Sequence, residues 1–404
     1  MTLGPGLVLQ LASQPAPRRG PRPLLLHLTL AMQRLTASLA ASMNLKPGSP
    51  DWKPTAAVEA EAAFLRGVQA WRTHPWRRDL ADPPTVWTEG PARLLDYGGT
   101  GEVVLFVPSL VNRWTVLDLM EGHSMLRWLA ASGVHPLLLD WGAPEPDFTL
   151  SDHIAGRLVR AMQAAGKPVV LAGYCMGGTF AAAAAALRPD LVRGLALLAA
   201  PWDFHAGGID QLHKLNATRL LVEPWLANAA TMPVDLLQML FAIDDPTGVA
   251  EKFRRFGMMD QTSPEARLFV ALEDWLNDGL PLSATTALQC LRLWYGENQP
   301  MHGTWRVAGL AIDPRTIEAP AFVAVPRRDR IVPPESARAL ARLLPRATLL
   351  EPNAGHVGMT AGRTARTVLW EPFRDWIISA GGAAGGLRGR KRAMQGGGIR
   401  RPGV

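Results

Sequence analysis

The sequence has little cysteine and no long apolar run. Only two of its 404 residues are cysteines, Cys175 and Cys290, and neither belongs to a C-x-x-C or H-E-x-x-H pattern. Two such thiols provide neither a disulfide framework nor a metal cluster, so we expect a reducing, cytoplasmic setting and no bound metal. We also expect no other cofactor. No stretch approaches the roughly 20 apolar residues that span a bilayer, so we expect no transmembrane segment.

Acidic residues are missing from both ends of the chain. Residues 1–50 carry five basic side chains and residues 381–404 carry six, and neither segment contains an acid. The whole chain has 42 basic and 35 acidic residues, so the stretch between the two ends is slightly acidic. The basic charge therefore belongs to the ends. Because no basic motif with interleaved aromatic residues occurs, we expect no nucleic-acid partner.

Composition divides the chain into three parts. Residues 1–50 predict a basic N-terminal extension with an amphipathic helix, because leucines and methionines recur at near-helical spacing over 24–43. This helix is either packed on the main domain or a surface anchor. Residues 51–380 are the main domain, and the Pro-rich stretch 47–60 leading into it predicts a linker. Residues 381–404 predict a disordered tail rich in Gly and Arg.

Within the main domain, strand-like and helix-like segments alternate from about residue 85. The predicted strands lie at 102–108, 135–140, 168–172, 194–199, 321–325 and 347–350. This alternation predicts a mostly parallel central sheet with helices on both faces. It stops between Pro201 and Glu318, so we expect a helical cap inserted over about 203–318. Methionines and tryptophans in that insertion suit either an ordinary core or an adaptable apolar channel.

The most informative stretch leads from a short apolar run into Gly173-Tyr-Cys175-Met-Gly177 and then into a run of alanines. This G-x-nucleophile-x-G pattern is a nucleophile elbow with cysteine in place of serine, and it indicates an α/β-hydrolase fold. The glycines are expected because side chains at so tight a turn would collide with the neighbouring strand and helix. The start of the following helix favours a thiolate and any oxyanion that forms.

The acid and the histidine of such a site follow the nucleophile in that order along the chain. Asp329 comes just after the predicted strand at 321–325, and His356 lies in a Gly-rich loop after the last predicted strand. An isolated Asp or His would be weak evidence, but all three residues occur in the right order and strand context. We therefore predict Cys175, Asp329 and His356 as the catalytic residues.

The predicted oxyanion hole combines two backbone N–H groups. One belongs to Met176, the residue after the nucleophile, and the other comes from the loop after the first long strand, at Val111 or Asn112. Asn112 could equally cap or pin that loop.

A thiol nucleophile favours acyl transfer from a CoA-type donor. Moving an acyl group from a thioester to cysteine exchanges one thioester for another, so the acyl-enzyme stays activated toward a second nucleophile. Serine would form a more stable ester. Some hydrolases of this fold also use cysteine, so hydrolysis stays open at this point.

Several segments between about residues 100 and 379 resemble, in order, those of the polyhydroxyalkanoate synthases. They are Leu110-Val-Asn-Arg113, Leu139-Asp-Trp-Gly-Ala-Pro144, Gly173-Tyr-Cys-Met-Gly-Gly-Thr-Phe180, Pro201-Trp-Asp-Phe204, Asp329-Arg-Ile-Val-Pro-Pro334 and Gly355-His-Val-Gly358. The Asp-Trp-Gly and Gly-His-Val-Gly variants are most similar to the short class III catalytic subunit, which works with a helical partner subunit.

The resemblance implies that Cys175 carries the acyl group, that His356 is the general base, and that Asp329 orients it. It implies a 3-hydroxyacyl-CoA substrate and a growing polyester chain, with either a helical partner subunit or a second copy of the chain as protein partner. It also implies a cytoplasmic protein that could bind the surface of polymer granules. Two alternatives stay open: a cysteine hydrolase (an intracellular polyester depolymerase or acyl-CoA thioesterase) and a non-catalytic granule-associated protein.

Overall fold

The computed structural model describes residues 18–43, 54–242 and 248–379. The chain divides into two compact units, and each is described by itself. The first takes its residues from Met1–Arg78 and Gln238–Asn277, and the second from Asp79–Leu237 and Asp278–Val404. This division does not follow the predicted boundaries, because part of the stretch predicted as a cap groups with the N-terminal residues. The boundaries at 50 and 380 and the tail predicted over 381–404 lie outside the described residues, and the cap over 203–318 stays a prediction.

Helices account for much of both units. The α-helices are α1 Leu24–Met43, α2 Pro54–Thr73, α3 Met125–Ala131, α4 Val159–Ala164, α5 Met176–Leu187, α6 Ile209–Leu226, α7 Val234–Ala242, α8 Gly248–Phe256, α9 Pro264–Asn277, α10 Ala284–Gln289, α11 Gln299–His302, α12 Pro334–Leu343 and α13 His356–Ala361. The π-helical segments are Asp152–Leu158, Cys290–Gly296 and Arg366–Trp370, and the 3-10 turns are Trp114–Leu117, Pro189–Leu191 and Pro314–Thr316.

In the first unit, α1, α2, α8 and α9 enclose an apolar core. Phe64 and Trp71 of α2 meet Phe253 of α8, and both pairs of rings stand edge to face. Arg18 fixes the chain before α1, since its guanidinium donates to both carboxylate oxygens of Asp274 at 2.5 and 2.7 Å.

Two features of this unit correct the predictions. The leucine stripe of α1 is not its packed face, because Leu28 and Met32 are exposed whereas His27 and Ala31 are buried. The surface-anchor interpretation stays a prediction. The linker predicted over 47–60 is wrong from residue 54, where α2 begins. A proline suits the first turn of a helix because its missing N–H would have no partner there. Residues 47–53 lie outside the described residues.

The second unit is built on an eight-stranded sheet in the order β1-β2-β6-β3-β7-β8-β13-β14. Its strands are β1 Thr85–Glu89, β2 Ala92–Asp96, β3 Glu102–Val107, β6 Val134–Asp140, β7 Val169–Tyr174, β8 Val192–Leu198, β13 Ala321–Ala324 and β14 Ala347–Leu350. Short antiparallel pairs are formed by β4 Asp118–Met120 with β5 His123–Ser124, β9 Thr231–Met232 with β10 Leu282–Ser283, and β11 Arg306–Val307 with β12 Leu310–Ala311.

The sheet is parallel from β6 to β14, which confirms the predicted architecture. Sequence analysis missed β1 and β2, which pair antiparallel at one edge. The central strands β3, β7 and β8 are buried along nearly their whole length, as their apolar runs predict. Because the strands are parallel, the segments that follow β3, β7, β8, β13 and β14 lie at one edge of the sheet.

Candidate active site

Cys175 lies at the tight turn between β7 and α5. Its backbone has φ 55° and ψ −128°, a left-handed conformation that a residue with a side chain adopts only when its surroundings enforce it. The Cys175 N–H donates to the carbonyl of Leu198 at 2.9 Å, and its own carbonyl accepts from the N–H of Gly178 at 2.8 Å. The turn therefore holds the half-buried thiol at the start of a helix.

The glycines around Cys175 are required by close contacts. A Cβ on Gly173 would lie 2.3 Å from the carbonyl oxygen of Gly177, and a Cβ on Gly177 would lie 2.0 Å from that of Val107. A Cβ on Gly178 would lie 2.4 Å from the Cβ of Ala200. No Cβ tolerates such distances, so the predicted collision with strand and helix is confirmed.

Asp329 and His356 come together beside this turn. Asp329 follows β13, and its Oδ1 accepts the N–H groups of Ile331 and Val332 at 2.8 and 2.9 Å. Its Oδ2 lies 2.7 Å from Nδ1 of His356. The carboxylate is fully buried and the imidazole nearly so. With Nδ1 occupied by Asp329, Nε2 is the ring nitrogen left to exchange a proton.

His356 also hydrogen-bonds the Cys175 side chain. Burial acts to lower the pKa of His356, but the charges of Cys175 and Asp329 and hydrogen bonds to both side chains outweigh it and raise the pKa to about 10. A protonated imidazole is therefore stable at this position. The structure thus brings the three predicted residues together. One detail of the prediction is wrong: His356 is the first residue of α13 and does not lie in a loop.

The three residues predicted for the oxyanion hole lie in different environments. Met176 is the first residue of α5, so its N–H has no partner within the helix. The Val111 N–H donates to the hydroxyl of Ser109 at 3.2 Å. The buried Oδ1 of Asn112 has no hydrogen-bond partner in the described part of the chain, so no pinning bond through that atom is seen. The oxyanion hole stays a prediction.

The family model described as "alpha/beta hydrolase fold" matches residues 141–360, which is more than half of the chain. The chain belongs to this family. The match begins at the end of β6 and includes the elbow, Asp329 and His356.

This α/β hydrolase is also similar to proteins named poly(3-hydroxyalkanoate) polymerase subunit PhaC. It is 28% identical to the one of Haloferax mediterranei over 72% of this chain and 63% of that protein. It is 28% identical to the one of Allochromatium vinosum over 68% of this chain and 80% of that protein. These relatives confirm the resemblance to polyhydroxyalkanoate synthases. The chain spans less than two thirds of the length of the haloarchaeal relatives.

Among solved structures, an esterase from Thermogutta terrifontis is similar to this α/β hydrolase with a TM-score of 0.47 and 20% sequence identity. The similarity covers 74% of this chain and 98% of the esterase.

Two further residues support the site, and sequence analysis did not single them out. The ring of Tyr174 lies 5.1 Å from that of His356, and its hydroxyl lies 3.4 Å from the His356 carbonyl. Burial, followed by the charge of Cys175, raises the pKa of Tyr174, so its hydroxyl stays protonated. The indole N–H of Trp141 donates to the carbonyl of Pro108 at 3.0 Å and so fixes the start of the predicted oxyanion loop.

The segment after β8 passes over the start of α5. Ala199 has φ 52°, a second left-handed residue without glycine's freedom, and its N–H donates to the Ala324 carbonyl at 2.9 Å. The Thr179 hydroxyl then donates to the Pro201 carbonyl at 2.7 Å. This segment is therefore tied to the sheet and to the nucleophile's helix.

The tryptophans that follow β8 divide between core and surface. Trp202, Trp294 and Trp305 are buried, and their rings pack with centroids 6.0 and 5.4 Å apart, as an ordinary core would. Trp225 is half exposed. The apolar channel stays a prediction. Cys290 is buried, as expected of a packed apolar residue.

Neither a metal site nor a membrane span is evident in what the structure describes. Within the described ranges, no three His, Cys, Asp or Glu residues gather as metal ligands. No described helix is long and apolar enough to cross a membrane.

Proposed function

We propose that this α/β hydrolase is a polyester-forming acyltransferase, which polymerises 3-hydroxyacyl-CoA through a thioester on Cys175. The observation that carries the proposal is the thiol at a strained turn, hydrogen-bonded to an imidazole that Asp329 holds at 2.7 Å. The names of the curated relatives support the substrate class. CoA enters as part of the substrate, not as a bound cofactor.

In the first half-reaction, Nε2 of His356 takes the proton of the Cys175 thiol. The thiolate attacks the thioester carbonyl of 3-hydroxyacyl-CoA, and the N–H at the start of α5 is suited to stabilise the oxyanion. The bond from carbonyl carbon to CoA sulfur then breaks, and the leaving CoA thiolate receives the proton from His356. Free CoA departs, and the acyl group stays on Cys175.

In the second half-reaction, a hydroxyl group at the end of a growing chain attacks the thioester on Cys175. His356 takes the hydroxyl proton, an ester bond forms, and the bond to Cys175 sulfur breaks. The thiolate leaves beside the protonated imidazole, which the raised pKa of His356 favours. Asp329 positions the ring and stabilises its charge in both halves.

The proposal also includes where the enzyme acts and which protein it binds. The product is an apolar polyester, so we place the enzyme in the cytoplasm at the surface of polymer granules. A helical partner subunit or a second copy of the chain completes the assembly.

The test is to give the purified protein 3-hydroxybutyryl-CoA and to measure free CoA, free acid and insoluble polymer. The proposal predicts CoA release with insoluble polymer. Cys175→Ala is expected to release no CoA, whereas Cys290→Ala, which changes the buried thiol, is expected to behave as wild type.

Other outcomes contradict the proposal and identify its alternatives. Release of CoA with free acid only would indicate a thioesterase. Release of acid from added polyester would indicate a depolymerase. No release, together with a Cys175 that does not react with iodoacetamide, would indicate a non-catalytic granule-associated protein.

A further inference from the structure

Tyr295 lies on the π-helical segment Cys290–Gly296 of the second unit. Its ring stands nearly perpendicular to that of Phe204, at 76° with centroids 5.0 Å apart. Its carbonyl lies 2.9 Å from Nε2 of His205. Contacts on both the side chain and the backbone therefore hold Tyr295 against the segment that follows β8.

That segment connects Tyr295 to the nucleophile. It lies against the first turns of α5, where Thr179 bonds Pro201 and Gly178 leaves no room for a Cβ beside Ala200. The neighbour of Tyr295, Trp294, also packs on α5, because its ring lies 6.1 Å from that of Phe180. Tyr295 is thus held next to the helix that begins after Cys175.

The electrostatics agree with this placement. Burial raises the pKa of Tyr295, and the charge of Cys175 is the second cause. Within the described residues, no protein group hydrogen-bonds the Tyr295 hydroxyl, whereas the hydroxyl of Tyr97 donates to Asp118 at 3.1 Å. Tyr295 therefore offers a protonated hydroxyl, beside the segment that follows β8, that no described protein group uses.

The order of the strands indicates which part of a substrate this hydroxyl meets. The predicted oxyanion loop follows β3, on one side of β7, whereas the segment that carries Phe204 follows β8, on the other side. A thioester carbonyl that points toward the β3 side leaves the β8 side open to the acyl chain. Tyr295 lies on that second side.

The following inference rests on the proposed function. We propose that the hydroxyl of Tyr295 binds the 3-oxygen of the acyl group carried on Cys175. A phenol hydroxyl can donate to this oxygen, which is a free hydroxyl while the acyl group is carried on Cys175. Tyr295 is then a substrate-binding residue that selects 3-hydroxyacyl groups over plain acyl groups, since only the former supply a partner for the hydroxyl.

The test compares 3-hydroxybutyryl-CoA with butyryl-CoA, which lacks the 3-oxygen, in the transfer of the acyl group to Cys175. The acyl-enzyme is followed by intact-protein mass spectrometry after rapid quenching, so neither polymer growth nor hydrolysis enters the rate. Tyr295→Phe is expected to lower the ratio of the two second-order rate constants by about three- to tenfold, as the loss of one neutral hydrogen bond requires.

The chain contains only three tyrosines, and the other two provide matched controls. Tyr97→Phe is expected to leave the ratio unchanged. Tyr174→Phe, which changes a hydroxyl near His356, is expected to change both rates equally. Melting temperatures show that each variant is folded.

An unchanged ratio in Tyr295→Phe, or an equal loss with both substrates, would overturn the inference while leaving the proposed function intact. If the wild type forms no acyl-enzyme with either substrate, the proposed function fails and the inference fails with it.

Discussion

Cys175 and Cys290 carry the same side chain in opposite surroundings. Cys175 is half-buried at a left-handed turn and hydrogen-bonds an imidazole. Cys290 is buried at the start of a π-helical segment, where burial raises the pKa of its thiol. The strand-to-helix turn and the histidine, and not the sulfur itself, therefore distinguish a reactive thiol from an apolar core residue.

The largest predicted effect separates the two thiols directly. Cys175→Ala is expected to lower the rate of CoA release at least about 10³-fold, because the acyl carrier is lost. Cys290→Ala is expected to retain activity, since that thiol lacks a base. Iodoacetamide labelling of the wild type, followed by peptide mass spectrometry, should modify Cys175 and leave Cys290 unmodified. Equal labelling of the two thiols would contradict the predicted difference in their reactivity.

The second prediction tests the partner that orients the base. Asp329→Asn is expected to lower the rate constant of Cys175 acylation by about 10²- to 10⁴-fold, because an amide neither fixes the His356 ring in the required tautomer nor stabilises its positive charge. The measurement is single-turnover acylation of Cys175. Asp313→Asn changes a carboxylate outside the site and serves as the control. A loss below threefold in Asp329→Asn would show that the 2.7 Å contact does not support catalysis.

The third prediction concerns the turn that presents Cys175. Gly177→Ala is expected to destabilise the fold by about 1–3 kcal/mol, because its Cβ would lie 2.0 Å from the Val107 carbonyl oxygen. Gly156→Ala is the matched control, since its Cβ would meet only the end of the Arg160 side chain at 3.5 Å. Urea denaturation of both variants measures the difference. Equal free energies of unfolding for the two variants would mean that the turn accommodates the added Cβ without loss of stability.

The fourth prediction concerns pH. The folded protein raises the pKa of His356 from 6.5 to about 10, so its contribution to stability is complete below pH 6.5 and is lost as the pH rises toward 10. The difference in unfolding free energy between the wild type and His356→Gln should shrink between pH 6.5 and pH 10. His302→Gln, which changes an exposed histidine, is the control. A difference that does not vary with pH would contradict the raised pKa.

The parts of this molecule that could be predicted are those with local causes. The apolar run of β7, the glycines at the turn and the alanines of α5 each act within a few residues of one another. The order of Asp329 and His356 along the chain follows from the order of the parallel strands. Sequence reasoning therefore found the three residues of the candidate site.

The features that were missed depend on contacts distant in sequence or on weak local patterns. β1 is mostly exposed, so it lacks the apolar run that revealed the central strands. Tyr295 lies 120 residues after Cys175 in the chain, and no local pattern indicates that the two residues interact. The grouping of Gln238–Asn277 with the N-terminal residues likewise arises from tertiary packing.

The left-handed backbone at Ala199 restricts where a hinge near the site can lie. Two adjacent strands, β7 and β8, each end in a non-glycine residue with a left-handed backbone, at Cys175 and Ala199. The second bend is anchored by Ala324, and the next turn by Thr179. These hydrogen bonds hold both bends, so we expect any opening on the β8 side of the sheet to begin beyond residue 201 and to leave the turn at Cys175 in place.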